Sequence, residues 1–261
     1  MSPVPFTLHF SLFTLFLLAA CDATLPPLRG QAVVGQDAYA VFVGGNALSS
    51  DLYAVRADGG SAIPLTYTPV AELAPALAPN GSMVAFLRGR SLRDSTPATL
   101  WVLNLLSGAD RELRLPKSAG PPRRVGWSRD GVSLVVRAQN GLYRIEAPPA
   151  KPNPRPVPPA ERASAESSLV VLLGDPVFAR VLPCRTAGEL CVVGDTGTPG
   201  FLARGAQQAV RWGPDSVALL IGTRVEIRPL GPGHARRLIW SQLPQSPRQM
   251  TFFGGQVGGE R

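Results

Sequence analysis

The chain has 261 residues, 45% of them hydrophobic, and its 26 Lys and Arg against 18 Asp and Glu leave a formal charge of +8. That apolar content excludes an intrinsically disordered chain, and the length suits one substantial core. With His9 and His234 as the only histidines, a histidine-rich metal centre is excluded, and a Ser-His-Asp hydrolase would depend on His234 once an amino-terminal leader is removed.

Residues 1–20 carry no Lys, Arg, Asp or Glu, and from Phe6 to Ala20 they are nearly all apolar. This run is shorter than the roughly 20 residues a bilayer-spanning helix needs, so it reads as an export signal. It ends in Leu18-Ala19-Ala20-Cys21, which resembles the lipobox of bacterial lipoproteins, although the expected basic residue near the amino terminus is missing. The resemblance implies cleavage before Cys21 and lipid on that cysteine, the only cofactor-like group expected. Asp22 resembles an inner-membrane retention signal, which implies the extracytoplasmic face of that membrane. Residues 21–30, with Pro26 and Pro27, then form a short extended tether, and 31–261 form one domain. An exported protein is a poor partner for nucleic acid despite its basic charge.

Within the domain one motif recurs. Its best copy is Trp127-Ser128-Arg129-Asp130-Gly131 followed by Val132-Ser133-Leu134-Val135-Val136, a strand ending in an aromatic, a tight turn and a second strand. Anchored on the turn residue, copies fall at Asp37, Asn80 (with Gly81), Asp130, Asp175 and Asp215, the last preceded by Trp212. Their separations of 43, 50, 45 and 40 residues match one four-stranded propeller blade. Past each turn comes a third strand: Leu52–Val55, Leu100–Leu103, Leu142–Ile145, Leu190–Val193 and Val225–Ile227. The spacing predicts an all-β propeller of five blades, or six if the end strand Gln249–Phe253 helps build another; that strand could instead close the ring.

Two stretches interrupt the repeat. Residues 147–160 hold seven prolines and read as an extended surface connection between the third and fourth blades, followed by further linker over 161–166. Cys184 and Cys191 flank a turn at Gly188 and suggest a disulfide, with buried thiols or half of a metal site as the other readings.

The repeat at 51–60, 78–81 and 127–131 resembles the TolB-type β-propeller of bacterial periplasmic proteins, which is similar to the propeller of prolyl oligopeptidase-like enzymes. The resemblance implies the fold and leaves the function open. The repeated Asp residues serve turns before catalysis, so no catalytic or metal-binding residue is assigned. The expected role is a membrane-anchored, extracytoplasmic, non-enzymatic scaffold for a protein partner or an accessory subunit of a membrane complex. The competing role is a small-ligand binder, hydrolase or lyase working in the central channel.

Overall fold

The computed structural model describes residues 28, 30–45, 49–89, 97–169, 181–193, 199–206, 208–211, 216–222, 224–229, 234, 236–238, 240–241 and 248–254. The strands, in chain order, are β1 (Tyr39–Gly45), β2 (Ser50–Arg56), β3 (Gly60–Ser61) and β4 (Ile63–Pro64). Next come β5 (Ala71–Leu77), β6 (Met83–Gly89), β7 (Thr99–Asn104) and β8 (Asp110–Leu113), then β9 (Pro122–Trp127), β10 (Ser133–Ala138), β11 (Gly141–Glu146) and β12 (Arg155–Pro156). Helix α1 (Arg162–Ser167) precedes β13 (Val181–Pro183), β14 (Glu189–Val193) and β15 (Pro199–Arg204). The last are β16 (Gln208–Arg211), β17 (Ser216–Ile221), β18 (Arg224–Pro229), β19 (Arg236–Leu238), β20 (Trp240–Ser241) and β21 (Arg248–Phe253).

Their pairing is that of a β-propeller. Strands β5 to β8, β9 to β12, β13 to β15 and β16 to β19 each form an antiparallel meander, and β21-β1-β2-β4 forms one more. We number these blades by chain order, with the β1 sheet first. The first two touch edge to edge through a single parallel pair, Ser50 with Ala71. The end strand β21 pairs with β1 and so joins the first blade, tying the two ends of the domain together.

The continuous apolar runs follow from packing on both faces of a blade. In β6, Val84 and Phe86 enter a cluster with Val41, Val43 and Leu52 of the first blade. The alternate residues Ala85 and Leu87 enter another with Val125, Leu134 and Val136 of the third. Strand β17 does the same, sending Ala218 and Leu220 toward Ala40, Phe42 and Met250, and Val217 and Leu219 toward Leu190 and Leu202. Period-2 alternation therefore switches between two apolar neighbours rather than between core and solvent.

The turns behave as their residues dictate. Asp130 Oδ1 accepts the Val132 amide and the Ser128 hydroxyl, while Gly131 sits at φ +72°. Asn80 Oδ1 likewise accepts the Ser82 amide and hydroxyl, with Gly81 at φ +70°. Asp37 stands before β1, accepts the Val33 amide and lies 3.6 Å from Arg56. Asp175, Trp212, Asp215 and the lipidation candidate Cys21 lie outside the described residues. Leu28, within the stretch read as a tether, is 1% exposed and packs with Tyr39, Leu77, Leu105 and Phe253.

Two expectations need correcting. The proline-rich stretch does more than connect blades: Arg155 and Pro156 pair with Arg144 and Tyr143, so it supplies the fourth strand of the third blade. A two-residue strand at a sheet edge tolerates proline because its missing donor faces away from the ladder. The stretch 161–166 is no plain linker either, since most of it is α1, whose Ala165 is buried with Val135, Leu142, Val157 and Leu169. The chain after α1 then passes close to β9, where Gly126 bridges Leu169. A Cβ at Gly126 would sit 1.7 Å from the Ser168 carbonyl oxygen, so only glycine fits.

Cys184 and Cys191 form a disulfide across the β13–β14 turn, where Gly188 has φ +78°. Replacing both by serine is expected to cost about 2–3 kcal/mol in the chain-entropy account, read as a lowered urea midpoint.

Candidate functional site

Strands β21, β5, β9 and β16 each have one ladder partner within a meander, β1, β6, β10 and β17, and are linked to one another from blade to blade by side-chain hydrogen bonds, which makes them the inner strands of the propeller. Gln208 on β16 donates its amide to the Met250 carbonyl at 2.7 Å and accepts the Met250 amide. On β21, Gln249 accepts the Ala74 amide at 2.7 Å and Thr251 accepts the Leu77 amide at 3.3 Å. Trp127 on β9 donates its indole N–H to the Ala76 carbonyl at 2.8 Å. Gln208, Gln249, Thr251 and Trp127 on these inner strands are thus spent on joining blades. Ala74 and Gln249 both have φ +50°, at irregularities in the β5–β6 and β21–β1 ladders. The unusual backbone leaves the Ala74 amide pointing along the ring rather than into its own sheet, where Gln249 takes it up.

The inner-strand carboxylate of β5, Glu72, turns into the junction of the first two blades. It is 0% exposed. Arg88 donates to Glu72 Oε1 from Nε at 3.0 Å and Nη2 at 2.8 Å, and Nη2 also reaches Asp110 at 2.9 Å. The Thr66 hydroxyl donates to Glu72 Oε2, and Ser50 brackets the Glu72 backbone, accepting its amide and donating to its carbonyl. The Arg88 guanidinium lies 4.1 Å from the Trp101 ring centroid and 5.2 Å from that of Phe86. Burial pushes the Glu72 carboxyl above the usual range, opposed by the bonds from Thr66 and Arg88. The group is packed on all sides and acts as a staple between blades. Sequence offered one signal for it, a lone acid in the apolar run Ala71-Glu72-Leu73-Ala74.

An open concavity lies instead at the blade rim. A cavity of about 250 Å³ sits between the second blade and the connection to the third, lined by Thr99, Glu112, Arg114, Lys117, Pro121 and Pro122 among others. Arg114, Lys117 and neighbouring Arg123 are exposed, and Arg114 lies 3.7 Å from Glu112. The fold gathers these three basic residues at the strand ends opposite the Asn80-Gly81 turn. Such a rim can receive a carboxylate or an acidic surface. His234 is exposed. Among the described residues no group of three His, Cys, Asp or Glu could hold a metal ion, and no helix is long and apolar enough to cross a membrane.

No family model matches the chain, and no curated protein matches it. Similar solved structures include TolB from Acinetobacter baumannii, at 13% identity and TM-score 0.35 over 76% of this chain and 52% of that one. The tricorn protease gives 14% identity and TM-score 0.35 over 76% of this chain and 22% of that one. The C-terminal WD40 domain of Sif2 gives 14% identity and TM-score 0.29 over 70% and 50%. The chain thus spans about half the length of the TolB it matches.

Proposed function

We propose that the protein is a lipid-anchored, extracytoplasmic propeller that serves as a binding scaffold for a protein partner in a membrane complex, without catalysis of its own. One observation carries the scaffold reading: Gln208, Gln249, Thr251 and Glu72 on the inner strands are committed to holding the blades together, while an open concavity lies on the rim. The basic edge of that concavity suits an acidic protein surface. The anchor rests on Leu18-Ala19-Ala20-Cys21 behind an apolar leader, since two or more acyl chains give stable membrane attachment where one is marginal. Asp22 favours the inner membrane.

Metabolic labelling with a radioactive fatty acid tests the anchor. Label should appear in the protein and vanish in Cys21→Ser; equal labelling of both, or none in either, contradicts it. For the rim, the pair Arg114→Glu and Lys117→Glu should weaken partner recovery roughly tenfold while leaving thermal unfolding unchanged, because rim charges act on association rather than folding.

A further inference from the structure

We propose that the face bearing the Asn80-Gly81 and Asp130-Gly131 turns lies flat on the lipid bilayer, with Val33, Leu106 and Val132 as its contacts. This deepens the anchored reading and rests on it. The three residues are 53%, 57% and 63% exposed. They belong to one continuous surface of four adjoining turns. A Cβ added at Gly35 would lie 3.3 Å from the Asn80 carbonyl oxygen, and the Leu105 amide donates to the Ser82 carbonyl at 2.9 Å. A Cβ added at Gly131 would lie 3.4 Å from the Pro79 ring, which places the Gly131-Val132 turn beside the second blade. Arg129 and Asp130 stand next to Val132 with opposite charges, so this part of the face neither repels lipid nor depends on its charge.

The leash decides the orientation. Leu28 is buried among Tyr39, Leu77, Leu105 and Phe253, which lie toward this same end of the strands. From Cys21 to Leu28 the chain can reach at most about 25 Å at 3.3–3.6 Å per residue. A seven-residue strand such as β6 makes the body roughly 23 Å thick in the same direction. To rest the opposite face on the membrane the leash would have to spend nearly all its reach passing the body. With the turn face down it needs almost none. The basic concavity and Tyr67, which is 86% exposed near Asp51 and the start of β5, then face away from the lipid.

The test uses the full lipidated protein in vesicles of phosphatidylethanolamine and phosphatidylglycerol. Single cysteines replace Val33, Leu106, Val132, Lys117 or Tyr67 and carry an environment-sensitive fluorophore; the native disulfide leaves the introduced thiol as the labelling site. With nitroxide-bearing lipid, quenching at positions 33, 106 and 132 should exceed that at 67 and 117 by about twofold or more, since interfacial contacts enter only the outer ~5–10 Å of the bilayer. Equal quenching, or stronger quenching at 67 or 117, overturns the orientation even when the protein floats with the vesicles. Failure to float, compared with Cys21→Ser, overturns the anchor and the orientation together.

Discussion

Arg88→Met should destabilise the protein by about 3–5 kcal/mol at neutral pH, the cost of leaving a buried carboxylate without its partner. Methionine keeps much of the stem packing against Phe86 and Trp101, so the loss reports the charge rather than a cavity. Glu72→Gln should cost less, about 1–2 kcal/mol, because the amide can still accept from Thr66 while Arg88 retains Asp110. The order is the test: urea unfolding with Glu72→Gln as the worse variant would contradict the staple. The pH dependence has a fixed sign. The Glu72 carboxyl is raised by burial, so its linkage favours the folded state below the usual glutamate range and loses that contribution as pH rises through the raised value. Without Arg88 the carboxyl rises further. The deficit of Arg88→Met should therefore shrink as pH falls toward 4 and be largest near neutrality, where a rim ion pair would show little effect.

Met250→Asp should abolish cooperative unfolding. Met250 is 1% exposed among Ala40, Phe42, Ala218 and Leu220, and both its backbone polar groups are held by Gln208. An unpaired carboxylate there costs more than about 4 kcal/mol, comparable to the whole stability of many domains. It also releases β21, which leaves the edge of β1 open to other chains and takes Phe253 from the cluster around Tyr39. Gln208→Leu provides the graded variant, costing about 2–4 kcal/mol by stranding two buried backbone groups. The expected calorimetric result is a single transition lowered in Gln208→Leu and absent in Met250→Asp, with aggregation. A cooperative transition of normal midpoint in Met250→Asp would mean that the last strand is an appendage.

The repeat was legible because its parts are local. Ser128, Asp130 and Gly131 specify a turn within a few residues, and the run in β10 beside them is apolar because both faces of that strand are covered, one by the second blade and the other by α1. The five predicted third strands coincide with β2, β7, β11, β14 and β18 for that reason. What escaped the sequence depends on distant partners. Glu72 and Arg88 are 16 residues apart and meet only because the β5–β6 register sets them opposite each other. Ala74 and Gln249 adopt positive φ without glycine, so no residue type marks them, and the bond between them spans 175 positions. The fourth strand at Arg155–Pro156 was hidden in a proline run whose composition signals extended chain and says nothing of pairing. The basic concavity was visible only as scattered arginines and Lys117 until the fold placed Arg114, Lys117 and Arg123 at one end of neighbouring strands.

The scaffold reading is tested most directly by capturing the tagged protein from native membranes in mild detergent and identifying what comes with it, beside a Cys21→Ser control. The account predicts a membrane protein recovered in stoichiometric amount with the native chain and lost with the control. Recovery of the native chain alone, folded and fully lipidated, would contradict it and direct attention to small ligands in the channel.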